Sequence, residues 1–317
     1  MNDLYGLAPD AVGTVAELRA RLSTFGPQTS RYLLSLPHHH DWKQLLLRSL
    51  GSTMGEIERK RLSSVLEAAF QNSAFIQKSF DDWSLSDDWV DSAIKYWRIQ
   101  ESRFGHGKIY VSDAEFDRRR GNGSDDVRFL VSPDENEVMS PAAEMIATEP
   151  EDYWKVAKLL CTISAEVHFV DPFFNPLAGE DKLKVFRAFV KGIMSLRKPV
   201  LVNFWVRWGV DGALREDLRR YSFDIRKELA ALTKSCRPGL SFIFHWVDDR
   251  KPSEKMHARF LLTEKGGIQF DQGFQCLPNR RNLVSPLSRD VSFRQFELLT
   301  KQKSLPFKVL DSVRVSR

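Results

Sequence analysis

The chain has no run of about 18 uninterrupted apolar residues, so its sequence offers no transmembrane helix. It also lacks a basic-then-apolar opening. Asp3 and Asp10 stand where a secretory signal would place its positive and apolar regions, and a cytoplasmic protein is expected. Cysteine is scarce, with Cys161, Cys236 and Cys276 alone; an odd count without metal-ligand spacing argues for reduced thiols rather than disulfides or zinc. His38, His39 and His40 lie between Pro37 and Asp41. Three successive imidazoles cannot converge on one ion from regular structure, so a polar loop before a helix is expected, with no metal and no cofactor.

What is present is a 317-residue chain with 42% hydrophobic residues, enough for one large or two ordinary domains. The net charge of +5 hides a division. Residues 181–317 hold 28 Lys and Arg against 14 Asp and Glu, an excess of 14 positive charges, whereas residues 1–180 hold 19 against 28, an excess of 9 negative. Opposed halves suggest two jobs, or two surfaces that face each other. The basic half has the electrostatic footprint of a polyanion binder, although solvated helix faces would also produce such an excess.

The first hundred residues read as helical. Thr14 with Glu17 three residues on is a capping-box pattern, and apolar spacing predicts helices from Asp41, over Glu56–Phe70 and over Ser84–Phe104. Lys108–Ser112 and Val127–Val131 read as two strands of a small sheet, joined by a charged loop. Met139–Pro150 reads as a linker with two prolines as breakers. Beyond it the pattern alternates. Helices are expected at Asp152–Ser164, Lys182–Ser195 and Leu214–Leu232, with near-continuous apolar strands at Val167–Phe173, Val200–Val206 and Leu240–Val247. The expected organisation is therefore a mainly helical accessory domain with a short β region over 1–149, and an α/β domain with a mixed, mostly parallel sheet over 150–317. His168 and His245 fall inside apolar strands and read as core histidines, and Trp205, Trp208 and Trp246 as core or rim.

Chemistry concentrates in residues 255–274. His257, Arg259 and Thr263 alternate with Ala258, Phe260 and Leu262, which predicts a strand with one buried face; Gly266-Gly267 then predicts a hairpin turn and Ile268–Phe270 its return. Side chains two apart on a strand share a side. An imidazole and a guanidinium placed together can act as nucleophile or base beside a fixed cation for phosphate. A strand that simply turns two polar residues to water remains open at this point.

His257-x-Arg259, four residues, then Glu264 resembles the His-x-Lys-x4-Asp signature of the phospholipase D superfamily. The resemblance extends to Val167–Pro176, whose Asp171-Pro172-Phe173-Phe174-Asn175-Pro176 is similar to the opening of a bacterial phospholipase D-like branch. It covers about the last half of the chain. It implies a metal-independent phosphodiesterase working through a phosphohistidine, most simply a nuclease acting on DNA or RNA, with a role in antiviral defence among the intracellular members. Carried over by position, His257 is nucleophile or acid, Arg259 the phosphate clamp and Glu264 the carboxylate that orients the histidine. Thr263 and Gln269 are candidate second donors, and Asp171, at a strand's carboxyl end, is a candidate substrate contact or simply the cap of a turn.

Departures from the pattern are Arg for Lys, Glu for Asp, and Asp271-Gln272-Gly273-Phe274 where a Gly-Ser/Gly-x-Asn element is usual. The missing Asn donor is sought at Gln272, Gln275 or Asn279. The reaction needs two histidines. One motif implies a homodimer that pairs two His257 residues across a twofold axis; His106, in His106-Gly107-Lys108-x4-Asp113, is the alternative within the chain. The acidic N-terminal half is expected to meet a protein partner, and no membrane is expected. The competing expectation is a degenerate domain that binds nucleic acid or nucleotide as an adaptor without cleaving it.

Overall fold

The computed structural model describes residues 3–316 apart from 27–28, 30, 51–53, 72–73, 77–82, 84–87, 105–106, 123–124, 132–142, 198–199, 209–214, 249–255, 257, 302–304 and 306. Contacts divide the chain into two α/β units, residues 2–140 and 141–317. None of the described helices is long and apolar enough to cross a membrane.

The N-terminal unit is built on a parallel sheet of β1 (Asp3–Leu7), β2 (Arg31–Leu34), β3 (Phe75–Ile76), β4 (Lys108–Tyr110) and β5 (Leu130–Val131), in the order β3-β2-β1-β4-β5. Helices α1 (Val15–Leu22), α2 (His39–Leu50), α3 (Glu56–Gln71), α4 (Trp89–Phe104) and α5 (Asp113–Gly121) connect the strands. At α1 the expected cap forms: Thr14 Oγ1 accepts from Glu17 N at 3.1 Å, and Glu17 Oε2 reaches back to Gly13 N at 2.7 Å.

The expected helices form and outweigh the strands, but the sheet they accompany has five parallel strands rather than two. The segment after Lys108–Tyr110, read as a charged loop, is α5 followed by a 3-10 turn over Asp125–Phe129. A parallel neighbour requires a crossover, and a helix supplies it. Strands β1–β3 were not expected because they run only two to five residues, and β1 and β2 begin with Asp and Arg.

The C-terminal unit carries an eight-stranded sheet. Its strands are β6 (Glu144–Ala147), β7 (Glu166–Val170), β8 (Leu201–Arg207), β9 (Ser241–Asp248), β10 (Phe260–Thr263), β11 (Gly266–Phe270), β12 (Arg281–Pro286) and β13 (Lys308–Ser316), in the order β13-β9-β8-β7-β10-β11-β12-β6. The pairs β7–β8 and β8–β9 are parallel and the other five are antiparallel, so the sheet is mixed but not mostly parallel. Helices α6 (Pro150–Ile163), α7 (Glu180–Met194), α8 (Arg215–Leu232) and α9 (Arg289–Thr300) complete it.

Two corrections follow from register. The stretch read as a linker contains β6, which pairs with β12, and Pro150 opens α6 rather than breaking a chain, since its missing N–H is one of the helix's unbonded donors. In the hairpin the turn is Glu264-Lys265, while Gly266 and Gly267 already pair with Thr263 and Leu262. Gly267 is needed for space: a Cβ there would lie 2.8 Å from Leu287 Cδ1 and 3.0 Å from Ser292 Oγ at α9.

Both faces of the central strands are buried. On one, Phe169 stacks on Phe204 at 4.9 Å between ring centroids and meets Phe189 of α7 at 4.4 Å. On the other, Val170, Trp205, Phe260 and Leu262 pack with Leu299 of α9. Each such side chain, once buried, contributes about 2 kcal/mol. The whole of β10 is buried, which corrects the expectation of one covered and one wet face.

Candidate functional site

The carboxyl ends of β7 and β8 hold the site. The chain leaves β7 at Asp171, which is 4% exposed, and both carboxylate oxygens are occupied: Oδ1 accepts from Phe173 N at 2.9 Å and Oδ2 from Phe274 N at 3.0 Å. Burial pushes the carboxyl above its ordinary value, against the two backbone donors and the nearby charges of Arg259 and Lys182. Arg259 Nε lies 3.8 Å from Oδ1, and Arg259 Nη1 donates to Asp271 O at 2.8 Å.

Above this pair stands Phe173. Its ring is 38% exposed, with the Arg259 guanidinium 5.1 Å and the Arg207 guanidinium 5.5 Å from its centroid. Its carbonyl accepts from Lys182 Nζ at 3.0 Å. Arg207, the last residue of β8, donates through Nη2 to Met256 O at 2.6 Å. His257 lies outside the described residues; in the chain it stands between Met256, whose carbonyl Arg207 holds, and Arg259, whose side chain binds the Asp271 turn.

That turn is fixed from below. Asn282, fully buried on β12, donates to Gly273 O at 3.0 Å and to Tyr153 Oη at 3.1 Å, while its Oδ1 accepts from Gln272 N at 2.9 Å. Tyr153 Oη in turn donates toward Gly273 O at 2.9 Å and Gln275 O at 3.0 Å, and burial pushes its phenol up to about 12. Gly273 has φ +76°; a side chain there would collide with Asp171 Oδ2 and come within 2.8 Å of Arg259 Cδ.

The structure thus brings Asp171 and Arg259 together over the turn that carries Gln272, and gives Glu264, Thr263, Gln269 and Asn279 other places. Glu264 is at the opposite end of β10, where it accepts from Ala165 N at 2.7 Å and Glu166 N at 3.4 Å; it ties the hairpin to the start of β7 rather than orienting a histidine beside Arg259. Thr263 is buried and caps the same hairpin, donating to Gly266 O and accepting from Lys265 N, so it is no substrate contact. Gln269 is opposite Phe260, one residue out of step with Arg259, and so faces the other side of the sheet. Asn279 is an exposed turn residue at φ +60°, a role suited to Asn.

Sequence reasoning overlooked Arg207, Phe173 and Asn282. Arg207 could have been found as the charge that ends an apolar strand at its carboxyl end, and Asn282 as a polar residue on the buried side of the alternation Arg281–Val284. His106 also lies outside the described residues; its companions Lys108 and Asp113 open β4 and α5 in the N-terminal unit.

His168 and His245 are core residues, as their apolar settings imply. Trp205 Nε1 donates to His168 Nδ1 at 2.9 Å; His168 Nε2 is 3.0 Å from Glu166 Oε1, close enough for an ion pair but off the line of a hydrogen bond. His245 Nδ1 is 2.8 Å from Ser312 Oγ and its Nε2 3.1 Å from Asn203 Oδ1, which fits a neutral ring protonated at Nε2. Burial, with His168 nearby, lowers His245 to about 3. Trp205, Trp208 and Trp246 are all buried. No group of three or more His, Cys, Asp or Glu among the described residues is arranged to hold a metal ion.

No family model and no curated protein matches this sequence. Among solved structures, TrmBL2, an archaeal chromatin protein described with a novel mode of DNA binding, aligns over 91% of this chain and 91% of its own at 12% identity, with a TM-score of 0.26. A likeness at that score carries no argument about fold or function.

Proposed function

We propose that the C-terminal unit binds phosphodiesters at the carboxyl ends of β7 and β8, and that it is a phospholipase D-like nuclease acting on DNA or RNA. The observation that carries this reading is the placement of Arg259: its guanidinium stands over a buried carboxylate, beside the half-exposed Phe173, two residues from His257 in the chain. A phosphate entering from solvent would meet Arg259 and Arg207, cations that match its oxygens. In the reaction one imidazole nitrogen bonds to phosphorus as the bond to the leaving oxygen breaks, and a second histidine gives that oxygen its proton. Water then attacks the phosphohistidine and frees the imidazole. With one histidine motif near the site, a twofold homodimer supplies the second His257, and the acidic N-terminal unit is left to engage a protein partner.

One observation favours the adaptor instead. The Arg259 guanidinium already bonds to Asp271 O and faces Asp171, as a residue committed to holding a turn would. Labelled single- and double-stranded DNA and RNA, incubated with and without EDTA, separate the two. The nuclease predicts EDTA-resistant cleavage that His257→Ala reduces by a factor of roughly a thousand and Arg259→Ala by roughly a hundred, with partial recovery in Arg259→Lys. Binding without cleavage under every condition, unchanged by His257→Ala, would establish the adaptor.

A further inference from the structure

We propose that Phe173 is a stacking platform for an unpaired base, so that the site takes single-stranded nucleic acid; the inference rests on the phosphodiester reading above and names its substrate class. Phe173 and Phe174 are adjacent but opposite in fate: Phe174 is 2% exposed and anchors the turn in the aromatic core, while Phe173 is 38% exposed. The exposed ring does not hang on a loose loop. Its amide is bonded to Asp171 Oδ1 and its carbonyl to Lys182 Nζ, so both backbone polar groups are engaged and the ring is held out toward solvent. Two guanidinia lie near its centroid, at 5.1 Å for Arg259 and 5.5 Å for Arg207.

A flat apolar ring with two planar cations near its centroid matches a nucleotide part by part. A base can stack on the phenyl and guanidinium planes, and the adjoining phosphate meets the charges. Stacking on a side chain requires a base free of its neighbours, which a duplex interior does not offer. A lipid phosphodiester or free phosphate satisfies the cations and leaves the ring without a partner.

The test measures binding of the full chain, by fluorescence anisotropy at fixed salt, to three end-labelled probes. These are a twelve-nucleotide thymidine strand, an abasic strand with the same number of phosphates, and a matched duplex. The wild type should favour the thymidine strand over both others by about tenfold, in the range a single stacked base gives. Phe173→Leu should erase that preference and leave abasic binding unchanged, Phe173→Trp should restore it, and Arg259→Ala should weaken the thymidine and abasic strands alike. Equal wild-type affinity for thymidine and abasic strands, or equal weakening of both by Phe173→Leu, would overturn the platform while an Arg259→Ala effect kept the phosphate site. Binding indifferent to Arg259→Ala would overturn the phosphate reading and the platform with it.

Discussion

The two units bury charge in opposite senses. In the N-terminal unit the charges buried among the described residues are cations, Arg31 and Arg119; Arg119 of α5 is 7% exposed, and Asp91 at 2.7 Å, Asp88 at 3.3 Å and Glu115 surround it. In the C-terminal unit the hidden charge is the anion Asp171, met by two backbone amides and by Arg259. Enclosing a charge is unfavourable unless opposite charge or hydrogen bonds meet it, so each arrangement fixes the sign of what surrounds it. The N-terminal cluster turns acidic outward. Asp10, after β1, is pushed above its ordinary value first by burial and then by Glu115 and Asp88. The C-terminal cluster turns guanidinium outward, which is why a polyanion is sought there.

The largest break in this comparison should come from Gly273→Ala. It forces a methyl against Asp171 at a left-handed residue and should destabilise the C-terminal unit by roughly 3 kcal/mol or more. Gly239→Ala, also left-handed but in open space, should lose about 1 kcal/mol in the same urea titration. Equal losses would mean that the Asp171 cradle is not tightly closed.

Next in size, Arg119→Met should lower N-terminal stability by about 2 kcal/mol by leaving three carboxylates facing one another, a loss that solvent limits because Asp88 and Asp91 are more than half exposed. Added salt should reduce that loss. A loss insensitive to salt would point to packing by the arginine stem instead.

The effect that starts smallest, near neutral pH, is one of protonation. His245 is held at about 3 in the folded state against an ordinary 6.5, so its neutral form favours folding fully above pH 6.5 and that contribution is lost as pH falls toward 3. C-terminal stability should decline over that window by at most about 1.4 kcal/mol per pH unit from this group. His245→Gln should flatten the decline, and an unchanged slope would assign it to other groups.

What could be read in advance divides along the same line. Strands β7, β8 and β9 were legible because both faces are covered and their apolar runs are long. Of the N-terminal strands β4 and β5 were legible too, but β1–β3 were not, because residues such as Gly6 and Arg31 break the pattern, Arg31 finding its place by donating to the Tyr5 and Tyr110 hydroxyls. At the site, Asp171 and Arg259 could be named from the chain, yet their partnership is made by a turn that Asn282 and Tyr153 hold, residues 129 apart in sequence. Glu264 misled for a similar reason: spacing placed it near Arg259 along the chain, and a strand's length carried it to the far end.

Strand β6 carries a practical lesson. Residues 144–147 seal the outer border of a sheet whose other strands begin some twenty residues later, so that border depends on chain from the seam between the units. A fragment started at Pro150 would leave the backbone of β12 as an open margin ready to recruit a foreign strand. One started ahead of Glu144 would take its own seal with it.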